Sequence, residues 1–397
     1  MALRQYDVRS LDAVLSGEDE AATLDVDVTS ALDATIGKKL FLGRDPRTLA
    51  AREGFEQVVA EVDGAPLATV VLKDVVVLGR GLLVEPSTRT VWAGESIGWS
   101  DDSIAMDFSA LFGRSWSAGE TVSIDDEQLV VAQTLDTAML LTQPGIGVYG
   151  HWLIDILPRL QTWRNHHRDL PLLVGQTEDW AYYFASRFGA DLAQSPAVLP
   201  HRSVRVGRLV VPTLTKRKQA LDRHRTASAW AEFADSLMAL PSRRRLPGGE
   251  RIYVSRANWS RGRKLLNEAE VEQRVAQHGF VVVRPEDYKL RQQVRIFREA
   301  RHVVGVDGSG LHNVLFAPSG AVLSVIDTHR TNLWHAGVAN VGDQHVSHLP
   351  ADEVPGQGWY LPLDALDRHL EEITAATVPW PRRLLSKGGA SRGARNR

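Results

Sequence analysis

The sequence contains no cysteine, which excludes a disulfide framework, thiolate metal sites and a cysteine nucleophile. It also lacks any apolar run near the roughly 18 residues that a spanning helix needs. Even Leu67 to Val84 is broken by Lys73, Asp74 and Arg80. Met1 to Glu20 has charges throughout and no apolar core, so neither a signal peptide nor an anchor is expected there. Thirteen histidines show no HxH or HExxH spacing, and the acidic pairs Asp101-Asp102 and Asp125-Asp126 read as turn residues in a β-rich region, so no metal is assigned. Basic residues are interspersed with acids rather than clustered with aromatics, which argues against nucleic acid as a partner. The expected location is cytoplasmic.

Charge of one sign is scarce except at the end of the chain. The net charge is −2, yet Pro381 to Arg397 holds five Arg and one Lys with no acid, leaving 40 basic against 48 acidic residues elsewhere. This Gly/Ser-containing tail, residues 381–397, reads as a disordered basic segment, either simply solvated or in peripheral contact with an anionic membrane surface.

What is present is ordinary globular composition, 44% hydrophobic and 24% charged over 397 residues, enough for two α/β domains. Residues 1–132 read as a partly helical lead-in followed, from Gln57, by a meander of antiparallel strands (VVAEV, ATVVLKDVVVLG, LLVEPSTRTVWA, ETVSI). Residues 133–245 alternate: a helix over His151 to His167, a strand at LPLLVG, a helix at TEDWAYYFASRFGA, strands around VRVGRLVV and a helix from Ala220 to Leu240. PSRRRLPGGE is the linker candidate. Residues 246–380 alternate again, through RIYVSR, NEAEVEQRVAQHG, FVVVRP, DYKLRQQVRIFREA, RHVVGV and GAVLSVID. Such alternation implies parallel βαβ units with a ligand at the carboxyl ends of the strands.

Four clusters have chemistry. His151 and Asp155, in YGHWLIDILPRL, stand four apart, so the carboxylate can orient the imidazole as a general base; equally, Asp155 can favour the helix dipole while His151 packs beside Trp152. Ser255, Arg256, Arg261, Arg263 and Lys264 follow the strand IYV, where Arg forks can neutralise a diphosphate. In VDGSGLHN, Asp307, Gly308, Ser309, Gly310, Leu311 and Asn313 form a strand-to-helix turn whose amides can cradle a phosphate, with His312 at its rim. Asp327 ends the next strand, where an acid can accept a ribose hydroxyl. Glycine turn plus strand-end acid also suits NAD or S-adenosylmethionine, although GVDGSG does not follow GxGxxG. Trp152, Trp163, Trp180 and Trp259 can stack on sugars or be buried.

In order, GHWLIDILPRL, YVSR with its Arg-rich loop and LNE, RQQVRIFREA and GSGLHNVLF resemble the glycosyltransferase family 61 catalytic domain, also described as the capsular polysaccharide biosynthesis family, over roughly Gly145 to Asp327. Asp307 stands where that family has His, and Ser309 where it has Ala. The resemblance implies a GT-B-like α/β fold, two Rossmann-type domains facing a cleft, preceded here by the antiparallel β-rich segment. It implies metal-independent, inverting transfer from a nucleotide sugar, commonly UDP-linked, to a polysaccharide or glycoconjugate acceptor, with no further cofactor. In that setting His151, oriented by Asp155, is the expected base, and Arg256, Arg261 and the Gly308–Leu311 amides are the expected leaving-group stabilisers. A Rossmann-type methyltransferase or oxidoreductase, and a non-catalytic assembly protein of the same fold, are the alternatives.

Overall fold

A computed structural model describes residues 3–19, 24–37, 40–43, 45–113, 115–125, 129, 131–199, 202–239, 246, 248–258, 264–329 and 331–375. Two sheets organise the chain. The first contains β1 (Leu3–Ser10), β2 (Asp25–Ala31), β3 (Pro66–Leu78), β4 (Leu82–Glu85), β5 (Thr90–Ala93), β6 (Val122–Asp125), β7 (Val131–Leu140), β8 (Leu172–Gly175), β9 (Ala197–Val198) and β10 (Ser203–Pro212). Its order is β6-β1-β5-β4-β3-β10-β7-β8-β9, with β2 also on β3. A small hairpin of β11 (Lys216–Arg217) and β12 (Ala220–Leu221) follows. The second sheet holds β13 (Arg251–Val254), β14 (Val281–Val283), β15 (His302–Val306), β16 (Val322–Asp327) and β17 (His345–Pro350).

The meander expected up to residue 132 is present as antiparallel β3, β4 and β5. It is not a separate layer, however. β3 pairs antiparallel with β10, and β10, β7, β8 and β9 then run parallel, so one sheet spans the expected boundary at residue 132. The second sheet is wholly parallel in the order β14-β13-β15-β16-β17. Its strands are apolar on both faces, as in HVVGV and VLSVID, because helices cover both sides. In this order the chain reverses direction across the sheet between β13 and β15, the place where doubly wound sheets open a crevice at their carboxyl ends.

One expected strand is a helix. VVAEV lies in Pro46–Val62, which Asp45 caps through the Arg47 amide and Pro46 opens. Thr48, Ala51, Phe55, Val59 and Val62 fall on its buried face, a helical period that the local β-branched pair conceals. The lead-in also reaches the second sheet at β17, where the Leu42 amide donates to the Val346 carbonyl and the Val346 amide donates to the Leu40 carbonyl. Asp101 and Asp102, expected in a turn, open the helix Asp101–Phe112, which Ser100 caps. The helix expected from Ala220 starts at Arg223, after β12 and an Asp222 cap.

A single apolar cluster runs through helices of both halves, from Trp152, Phe184 and Phe233 to Val314, Phe316 and Val338. Phe233 bridges them, stacking on Phe184 at 4.6 Å and meeting Phe316 at 6.2 Å between ring centres. Among the described residues no helix is long and apolar enough to cross a membrane.

The helix Trp334–Val341 packs on the hairpin so closely that a Cβ on Gly337 would lie 2.3 Å from the Gln219 carbonyl oxygen. Backbone cannot yield as a side-chain tip can, so Gly337→Ala is expected to destabilise the fold by about 1–3 kcal/mol, read as a lower denaturation midpoint.

Candidate active site

β7 ends at Leu140 and the chain turns through Gly145, at φ 86°, before the helical run from Tyr149. A Cβ on Gly145 would lie 2.6 Å from the His151 ring, so glycine lets the imidazole rest against the loop. Tyr149–His151 leads into one π-helical turn, Trp152–Ile156, and then into the α-helix Leu157–His166. Wide turns of this kind recur at functional sites. Trp152 is buried and anchors the turn by donating from Nε1 to the Ile146 carbonyl at 2.6 Å.

Asp155 is fully buried, and its Oδ2 takes three contacts: His151 Nδ1 at 2.6 Å, Gln143 Nε2 at 2.7 Å and Lys216 Nζ at 3.0 Å. Burial pushes this carboxyl up, but the Lys216 charge and then the His151 hydrogen bond outweigh it and hold Asp155 well below the usual carboxylate range. An ionised carboxylate only accepts, so His151 has a proton on Nδ1, which leaves Nε2 as the ring nitrogen that can act as a base. The His151 side chain is 35% exposed while that of Asp155 is inaccessible, an arrangement suited to a base and its orienting acid. Gln143 is fixed in turn by Arg159, whose Nη1 donates to Oε1 at 3.0 Å. Lys216 also lies 4.8 Å from the centre of the Trp334 ring.

The second face is built at the carboxyl ends of β13 and β15. Ser255 is buried there, donating from Oγ to Glu272 at 2.5 Å and accepting from the Ala257 amide at 3.1 Å. Arg256 donates from its amide to Glu268 at 3.1 Å and from Nη1 to the Asp307 carbonyl at 2.9 Å, which lays the guanidinium on the turn. A Cβ on Gly308 would sit 1.7 Å from that Nη1, so only glycine leaves it room. The following helix, Ser309–Phe316, is a 3-10 helix. The Leu311 amide already donates to the Gly308 carbonyl at 3.0 Å, so the expected cradle narrows to the amides that precede this first intrahelical bond, those of Ser309 and Gly310 on the helix with that of Gly308 before them.

Three other expected contacts are placed differently. Asn313 is buried, accepting from the Tyr149 hydroxyl at 2.5 Å and donating to Gln293 at 2.9 Å; it ties the two halves together instead of facing a phosphate. Asp327 is buried against His348 Nδ1 at 3.1 Å and takes the Thr331 hydroxyl at 3.3 Å, so it is not open to a ribose. Asp307 is turned inward, 3% exposed, with Oδ1 accepting from His335 Nε2 at 2.8 Å and from Asn332 Nδ2 at 3.0 Å. Arg261, Arg263 and Trp259 lie outside the described residues. Trp163 is buried, donating to the Leu170 carbonyl at 2.8 Å, and Trp180 meets Trp152 edge to face.

The two faces touch at Gly150. A Cβ there would be 2.7 Å from His312 Nδ1 and 2.9 Å from Ser309 Cβ, so the residue before His151 lies directly on the glycine turn. Gln143, Lys216, Trp334 and His335 escaped the sequence reading. Lys216 stands in a basic TKRK run that looks solvated, and nothing local to NLWHAG ties it to Asp307.

Residues 149–324 match the family model described as Glycosyltransferase 61. That match supports assignment of the chain to glycosyltransferase family 61. The family 61 segment contains His151, Asp155, Lys216, Arg256 and the glycine turn, and stops inside β16, before Asp327, Trp334 and His335. No curated protein matches the chain.

His312 is the most perturbed neighbour of the dyad: burial, followed by the nearby His335 and His151, pushes it from 6.5 down to about 3. The unfolded chain therefore binds a proton that the folded chain refuses, and stability falls as pH drops from 6.5 towards about 3. The depressed Asp155 adds a loss of the same sign at still lower pH, as the folded state is forced to protonate. His312→Asn is expected to make the upper part of that acid limb shallower in melts taken across pH, leaving the share of His369, which burial lowers to about 4, and the lower part in place.

Proposed function

We propose that this protein is an inverting, metal-independent glycosyltransferase that moves a sugar from a nucleoside-diphosphate sugar, UDP-linked, to a hydroxyl of a glycan or glycoconjugate acceptor. The supporting observation is the contact at Gly150, which sets an oriented imidazole beside a glycine turn on which an arginine rests. The acceptor oxygen attacks the anomeric carbon as the bond from that carbon to the diphosphate oxygen breaks. His151 Nε2 takes the acceptor proton, and the bonding pair leaves with the diphosphate. Arg256 and the Ser309 and Gly310 amides meet the charge that grows on the leaving group. Asp155, kept ionised by Lys216, steadies the imidazolium that forms.

His151→Ala is expected to lower kcat by about 10²–10⁴ while UDP affinity stays near wild type in calorimetry. Gly308→Ala meets only the tip of a flexible side chain, so it is expected to fold normally while displacing the Arg256 guanidinium. Its UDP affinity is expected to fall about ten-fold or more, the value of one charge-assisted hydrogen bond, as in Arg256→Ala. Turnover in EDTA is expected to match turnover without it. A thermal-shift panel of UDP, UDP-sugars, NAD and S-adenosylmethionine that stabilised the protein only with one of the last two would replace the glycosyl-transfer reading.

A further inference from the structure

Asp307 poses an electrostatic difficulty, because a carboxylate one residue before the turn opposes an anion bound there. The structure shows how the side chain is disposed. Its Oδ1 receives two donors, His335 Nε2 and Asn332 Nδ2, both from the segment that follows β16. The His335 side chain is wholly inaccessible, and a carboxylate partner requires Nε2 to be the protonated nitrogen. The segment is held firmly: Gly337 lies against the Gln219 carbonyl, and Trp334 lies beneath Lys216, the cation that also contacts Asp155. Meanwhile Arg256 holds the Asp307 peptide oxygen, on the turn side. The residue is thus held at both ends, its backbone by Arg256 and its carboxylate by His335 and Asn332.

We propose that His335 is a positioning residue for the donor: it draws the Asp307 carboxylate beneath the turn, so that the diphosphate at the Ser309 and Gly310 amides does not face that charge. The proposal rests on the donor reading above. It explains why an acid can stand at the lip of an anion site, and it assigns the task to a residue 28 positions away.

The test is calorimetric binding of UDP and of uncharged uridine to wild type, His335→Ala, Asp307→Asn and the double variant. His335→Ala is expected to weaken UDP by about ten-fold through the freed charge while leaving uridine nearly unchanged. Adding Asp307→Asn is expected to restore UDP affinity to within about two-fold of wild type, since the charge is gone. A general packing defect would weaken both ligands and would not be rescued by a substitution at another site. UDP binding unchanged in His335→Ala, or lost without rescue in the double variant, overturns the assignment. Should His335→Ala fail to fold, Asp307→Asn alone decides: affinity at or above wild type supports the proposal, and a ten-fold loss overturns it by showing that the ligand needs the carboxylate. Failure of wild type to bind UDP is a separate result, which removes the donor reading and this inference with it.

Discussion

The buried carboxylate of Asp155 is the interaction on which the site depends. It joins the π-helical turn to the end of β7 through Gln143 and to the β11–β12 hairpin through Lys216, and it orients the one partly exposed member of the group, His151. A carboxylate so deeply buried stays charged only where its partners compensate the lost hydration, and here a cation and two further donors converge on one oxygen. Loss of Lys216 would therefore act on the imidazole without touching it.

Asp307 is a second buried acid with a histidine partner, and the two pairs work in opposite senses. Asp155 arms a histidine that reaches solvent. Asp307 is restrained by a histidine that does not. Between them lies Gly150, the point where the two carboxyl edges come within contact distance. Any side chain larger than hydrogen at this point would push the base away from the turn, so the spacing between proton acceptor and anion cradle is set by an absent methyl group.

Much of this was legible in the sequence. The βαβ alternation after the linker gave strand ends at Val254 and Val306, and a parallel sheet necessarily brings those ends to one edge, so Arg256 and Gly308 could be paired in advance. His151 and Asp155 were visible because four residues make one helical turn. The failures share a cause, which is tertiary placement overriding local pattern. VVAEV is β-branched yet completes a helix whose apolar period is plain only over all seventeen residues. Asp327 and Asn313 have the right chemistry at the right strand or helix ends, but each faces a buried partner supplied by another element, His348 or Tyr149. Lys216 and His335 had no local signal, since their meaning arises only when the hairpin and the Trp334–Val341 helix pack together.

The π-helical turn has a consequence for how this segment can change. A regular α-helix advances about 100° per residue, so residues spaced by four drift about 40° at each step. A turn closing over five residues spends more chain per revolution, so at Trp152–Ile156 it changes that angular offset just where His151 meets Asp155. The geometry is thus tied to chain length as well as to residue identity. Shortening the turn by one residue would leave the apolar face of Leu157–His166 in register with the core but carry the imidazole about 100° around the helix axis, to the other side of its acid. Substitutions here would be filtered by packing, whereas insertions and deletions would strike the chemistry first.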